Sequence, residues 1–218
     1  MERPDINEFE DSLLDEVWDA VATLPRTKSI LGMSLLHDVV PVSEETKEKS
    51  VERPLSCVMF ELDEKLVKRV KAIQTLIDPD DLHEEGLEEW PHITARYGLH
   101  EQNAETVIES VQGTSPIEVT IGTSSVFELD EYDVLKLNVS GDNLNGFHDE
   151  LGTFPHTDTY PEYKPHITLA YLKPGTGEKY LDIQGLDGTI ATLNQLVFSN
   201  GDKEKTRFTV GSHAKETE

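Results

Sequence analysis

Apolar residues recur at three- and four-residue steps near the start of the chain. Ile6, Phe9, Leu13, Val17, Val21 and Leu24 fall on one face, so residues 5–24 are predicted to form an amphipathic helix. Pro25 ends it, because its ring cannot continue the hydrogen-bond ladder. A short apolar stretch, 29–36, follows. Residues 41–54 are then polar and charged with proline at both ends, the pattern of a linker. The expected division is a helical extension and linker over 1–50, a main domain over 51–212 and a disordered tail over 213–218.

From Leu55 the pattern changes. Leu55 to Leu62 reads as a strand. Asp63 is placed to cap a helix whose apolar face is Leu66, Val70, Ile73 and Ile77. A loop rich in Asp and Glu, 78–89, leads to a strand near 90–97. Further helices are predicted over 103–112 and 143–151. Strands are predicted over 116–122, 124–129, 133–140, 165–172, 193–199 and 205–210. Several strands follow one another directly, without a regular strand–helix–strand rhythm. That order predicts an α+β fold with antiparallel sheet.

Composition narrows the setting. The 218 residues suffice for one large domain or two small ones. The formal charge is −24. Such a chain repels long polyanions, whose binding depends on Lys and Arg neutralising phosphates. A small anionic ligand is still admissible, because the distant field is screened over about 8 Å at physiological salt. The acidic surface would also suit a salty cytoplasm, although solubility alone accounts for it. No apolar stretch reaches the roughly 18 residues of a membrane span, and the acidic start is unlike a secretory signal. The single cysteine, Cys57, excludes an internal disulfide framework and a cysteine-cluster zinc site. A cytoplasmic protein with no membrane partner is expected.

One internal repeat carries the candidate chemistry. Pro91-His92-Ile93-Thr94-Ala95-Arg96-Tyr97 matches Pro165-His166-Ile167-Thr168-Leu169-Ala170-Tyr171 in the pattern P-H-I-T-x-x-Y. Both copies have the β-branched residues of a strand. On a strand, side chains two apart share a face. His92 and Thr94 therefore point one way, as do His166 and Thr168. Ile93, Ala95 and Tyr97, with Ile167, Leu169 and Tyr171, are expected on the core side. A pseudo-twofold pairing of the strands would bring two His and two Thr to one site. Two histidines flanking a phosphate can serve as general base and general acid, and threonine hydroxyls can donate to its non-bridging oxygens. No third ligand stands at metal-binding spacing, so neither a metal nor another cofactor is expected.

These paired motifs resemble those of the two-histidine (2H) phosphoesterase superfamily, named for its two H-x-[ST]-x motifs. The resemblance implies a bilobal α+β fold, with antiparallel sheets flanked by helices and the motifs on adjoining central strands. It implies metal-independent phosphodiester cleavage, with His92, Thr94, His166 and Thr168 as the active-site residues. The flanking words are similar to those of phage anti-CBASS nucleases. They are Cys57-Val58-Met59, Gly86-Leu87-Glu88, Tyr97-Gly98-Leu99-His100 and Tyr163-Lys164-Pro165. That likeness covers about 55–210 and implies hydrolysis of cyclic di- or trinucleotide immune messengers. One alternative is a 2H enzyme opening an RNA 2′,3′-cyclic phosphate or cutting 2′,5′-oligoadenylate. Another is a non-catalytic messenger binder, or a virion-associated protein making contacts through the N-terminal helix.

Strand parity extends the polar face to Trp90 and Arg96 beside His92, and to Lys164 beside His166. Arg96 and Lys164 are candidates to hold phosphate charge, and Trp90 to stack on a base. His83 and His100 read as loop residues. Phe198 and Phe208 read as core, with a lid over the site as the other option.

Overall fold

The computed structural model describes residues 54–211, apart from 159, 161, 182 and 184. The predicted helix over 5–24, the linker through residue 53 and the tail over 213–218 lie outside those residues. In chain order the strands are β1 (Ser56–Glu61), β2 (Leu82–Leu87), β3 (His92–Leu99), β4 (Ile117–Glu128), β5 (Asp133–Ser140), β6 (His166–Leu172), β7 (Ile190–Leu193), β8 (Gln195–Ser199) and β9 (Lys205–Thr209). The α-helices are α1 (Glu64–Gln74), α2 (Ala104–Val111) and α3 (Asp142–Leu151).

The sheet order is β7-β4-β5-β6-β3-β1-β8-β9, with β2 paired to β6, and every pairing is antiparallel. This order has internal symmetry. β3 and β6 meet at the centre, flanked by β1 and β5, then β8 and β4, then β9 and β7. α1 follows β1 and α3 follows β5, so β1-α1-β3 and β5-α3-β6 are equivalent halves. The α+β expectation is met by this curled antiparallel sheet with few helices.

Helices α1 and α2 form where the sequence supplies both a start and an apolar stripe. The Asp63 carboxylate accepts from the Leu66 amide at 2.7 Å and caps α1. Leu66, Val70 and Ile73 are its buried stripe. Asn103 caps α2 in the same way through the Glu105 amide. α3 packs on β3 and β4, α1 on β6 and α2 on β8. Together they cover one face of the sheet. Phe60, Ile93, Leu137, Ile167 and Phe198 are buried beneath them, and the Phe60 and Phe147 rings lie 5.1 Å apart. Phe198 is core, and Phe208 packs against it half-buried.

Three boundaries differ from the sequence reading. β4 is one strand through Gly122, with a register shift between Ile121 and Ser124 where the sequence suggests a break. The run 193–199 is two strands, interrupted at Asn194. The acidic loop 78–89 contains β2, an edge strand paired to β6 at Leu82 and Leu87.

Candidate active site

The two motif strands meet at Ile93 and Ile167, which pair across the centre of the sheet and are both fully buried. Antiparallel pairing carried one residue either way sets His92 beside Thr168, and Thr94 beside His166. All four are half-buried and lie on the sheet face opposite α1 and α3. Among the described residues, neither threonine hydroxyl has a hydrogen-bond partner.

Each histidine is held by the same device. His92 Nδ1 lies 2.8 Å from the Trp90 carbonyl, and His166 Nδ1 lies 2.6 Å from the Lys164 carbonyl. A carbonyl only accepts, so each Nδ1 carries the proton and each Nε2 is left for other work. The proline between, Pro91 or Pro165, keeps the residue before it extended. Trp90 stacks on the His92 ring at 5.0 Å, and Phe127 meets the His166 ring edge-on at 5.3 Å.

The strands do not keep simple alternation. Met59 pairs with Thr94 while its neighbour Val58 pairs with Arg96, so Ala95 is a bulge. Lys136 pairs with Thr168 while Leu135 pairs with Ala170, so Leu169 is a bulge at the equivalent position. Each bulge carbonyl is taken by a side chain from the helix layer. His148 Nδ1 donates to Ala95 O at 2.8 Å, and Gln74 Nε2 donates to Leu169 O at 2.7 Å.

The bulges correct two parity expectations. Tyr97 and Tyr171 lie on the His–Thr face, paired with Cys57 and Val134, and are half-buried rather than core. Arg96 turns to the helix side and is only 6% exposed. Its guanidinium bonds His148 Nε2 and pairs with Asp158 at 2.7 Å. Arg96 is therefore not beside His92 and Thr94, and its expected phosphate role is withdrawn.

Trp90 lies beside His92, with the Lys205 ammonium 4.1 Å from its ring centroid. Lys164 is exposed and pairs with Glu162 at 3.2 Å. Three cations near the motifs escape a sequence reading. Lys136 lies across the ladder from Thr168. Lys205 and Arg207 come from β9, and Arg207 pairs with Glu61 at 3.2 Å. Each stands in an unremarkable strand sequence, and only the pairing brings it to the site. Glu61 itself lies across the ladder from His92.

Burial holds His166 below the ordinary imidazole pKa, helped by the positive charge of Lys136 and of His92. At neutral pH its Nε2 therefore carries a lone pair. Burial pushes the Cys57 thiol up to about 12, so it is no thiolate nucleophile at neutral pH. His83 sits in β2 against the Tyr132 ring, and His100 bonds the Thr157 hydroxyl at 2.8 Å. Among the described residues, no group of three or more His, Cys, Asp or Glu is placed to hold a metal ion. Among them too, no helix is long and apolar enough to cross a membrane.

Two His-x-Thr strands meeting at the centre of a two-halved antiparallel sheet define a phosphoesterase of the 2H type. The sequence profile described as "2′-5′ RNA ligase superfamily" matches residues 62–184, more than half of the chain. The chain belongs to that superfamily, and its fold is that of a 2H phosphodiesterase-type enzyme. No protein with a curated description matches it. Among solved structures it is similar to TT0787 of Thermus thermophilus, with 15% identity and a TM-score of 0.51, covering 73% of this chain and 100% of that one. Escherichia coli LigT complexed with 3′-AMP aligns at 13% identity and a TM-score of 0.48, covering 72% and 98%. The first of these is a likeness of fold.

Proposed function

We propose that this protein is a metal-independent phosphodiesterase that hydrolyses cyclic di- or trinucleotide messengers, with His166 as general base and His92 as general acid. The carrying observation is the matched pair of histidines, each fixed through Nδ1 with Nε2 left for proton transfer. Cleavage of a 3′,5′ linkage then runs in one displacement. His166 Nε2 takes the proton of the ribose 2′-hydroxyl as its oxygen bonds phosphorus. The bond from phosphorus to the 5′-oxygen breaks, and His92 supplies that oxygen with a proton. This step leaves a 2′,3′-cyclic phosphate and a free 5′-hydroxyl. Water then attacks the cyclic phosphate, His92 taking its proton and His166 returning one to the departing ribose oxygen, which completes the hydrolysis. Thr94 and Thr168 donate to the non-bridging oxygens, where charge builds in the transition state. The depressed pKa of His166 supports its assignment as base, because the neutral ring is the competent form.

The messenger reading rests on the flanking words given above and on the charge of −24. A small cyclic substrate feels the local cations Lys136, Lys205 and Arg207, whereas a long RNA also feels the distant carboxylates. The same messenger chemistry fits a viral or prophage antidefence protein. Membership of the 2′-5′ RNA ligase superfamily favours a second reading, in which the substrate is an RNA 2′,3′-cyclic phosphate or a 2′,5′ linkage. Initial rates on a cyclic dinucleotide, a cyclic trinucleotide and a single-stranded RNA across a salt series separate the two. The messenger reading predicts strong discrimination against RNA at low salt, narrowing as salt rises. Faster cleavage of RNA than of both cyclic compounds at low salt would replace it with the RNA reading.

A further inference from the structure

Lys136 is a buried cation whose hydrogen-bond partners are both neutral. It lies mid-strand in β5, pairs across the ladders with Thr168 and Ser125, and is 4% exposed. Its Nζ donates to Ser125 Oγ at 2.6 Å and to Asn138 Oδ1 at 2.8 Å. The Ser125 hydroxyl in turn donates to Asn138 Oδ1 at 2.7 Å, so neither oxygen brings a negative charge. The Phe127 ring centroid is 4.2 Å from Nζ, and that ring contacts His166. Among the described residues, no carboxylate pairs with Lys136 and its third N–H has no oxygen acceptor.

Burying an ammonium without a counter-charge is costly, and buried charges are ordinarily paired. Here the cost is incurred beside a hydroxyl and an imidazole that face the candidate cleft. Burial, and then the nearby Lys164 charge, hold the Lys136 pKa below its ordinary value. An anion arriving at Thr168 and His166 would supply the missing partner.

We infer that Lys136 is a phosphate-binding residue of the cleft, whose third N–H and charge engage a non-bridging oxygen of the phosphate held against Thr168 and His166. This deepens the phosphodiesterase reading and rests on it for the identity of the phosphate. Lys136 supplies the fixed positive charge that two neutral hydroxyls cannot. A proton exchanged between the histidines leaves that charge unchanged, so it serves the phosphate throughout turnover.

The test titrates inorganic phosphate into the full chain at low salt, by calorimetry, for the wild type, Lys136→Gln and Asn138→Asp. Lys136→Gln removes the charge. Asn138→Asp keeps the lysine but hands it a carboxylate, so the site is neutralised from within. Both variants are expected to bind phosphate at least about tenfold more weakly. Asn138→Asp exchanges its Nδ2 bond to the Thr123 carbonyl for an ion pair with Lys136, and its fold is checked by its Tm. Should Lys136→Gln fail to fold, the Asn138→Asp comparison decides alone. Unchanged phosphate affinity in either folded variant overturns the assignment, as does a wild type that binds no phosphate. Phosphodiester turnover is measured in parallel. Lys136-dependent phosphate binding by a chain that cleaves no diester would retain this site and refute the proposed reaction.

Discussion

Replacing Arg96 with Met distinguishes a structural arginine from a substrate-binding one. The side chain is 7% exposed and lies on the helix side of the sheet, away from the histidines. Met retains most of the aliphatic packing but loses the contacts to His148 and Asp158. A buried hydrogen bond from a charged donor is worth about 1.5–3 kcal/mol, which covers the bond to His148. The Asp158 carboxylate is 65% exposed, so solvent screens that pair to roughly 0.5 kcal/mol. Arg96 Nε is buried without a partner, and removing it recovers about 1 kcal/mol. The balance is a loss of about 2 kcal/mol. For a chain of this size that lowers the Tm by roughly 4–8 °C. Urea unfolding should show a lower midpoint with an unchanged slope, and kcat/KM of the folded variant should stay within about threefold. An unchanged Tm together with a tenfold rise in KM would refute the reasoning and return Arg96 to the substrate.

Gly98 has φ +90°, and a Cβ there would collide with the Thr157 carbonyl. Gly98→Ala should therefore cost about 2–4 kcal/mol, whereas Gly86→Ala, with φ +69° and open space, should cost nearer 1 kcal/mol. Equal unfolding midpoints for the two would contradict this. Burial, with help from the Arg96 charge, holds His148 below the ordinary histidine pKa, so the unfolded chain binds a proton that the folded chain resists. Its contribution is complete above pH of about 6.5 and is lost as pH falls toward the folded pKa. The wild type should lose more Tm than His148→Gln between neutral and mildly acidic pH, and parallel losses would exclude the effect. Thr94→Ala and Thr168→Ala should each slow turnover by about 10–10² with little change in Tm, as expected for one lost transition-state hydrogen bond. Full activity in both would remove the hydroxyls from the mechanism.

The repeated P-H-I-T-x-x-Y word made the centre of the fold readable, because a duplicated strand with His and Thr at alternate positions specifies a face. Helix α1 was equally readable, from its Asp63 cap and the stripe of Leu66, Val70 and Ile73. Residues beyond the motif were not, for a physical reason. A bulge inserts one residue and inverts every later side chain, and neither Ala95 nor Leu169 announces one. Parity therefore misplaced Arg96, Tyr97 and Tyr171 together. β2 was hidden because His83, Glu84 and Glu85 are polar, and an edge strand needs few apolar residues. Lys136, Lys205 and Arg207 have no motif around them. They reach the site only through the pairing of β5 with β6 and of β9 with β8, which composition does not encode.

The central claim is that His92 and His166 act together as acid and base on one phosphodiester. It is tested most directly by turnover of a cyclic dinucleotide and a cyclic trinucleotide, in the presence of EDTA, by wild type, His92→Ala, His166→Ala and the double variant. Undiminished wild-type turnover in the chelator is predicted. Each single replacement should cost on the order of 10²–10⁴ in rate. The double replacement should cost far less than the product of the two, because the residues work as a unit. Near-wild-type turnover by the double variant, with its fold intact, would contradict the account.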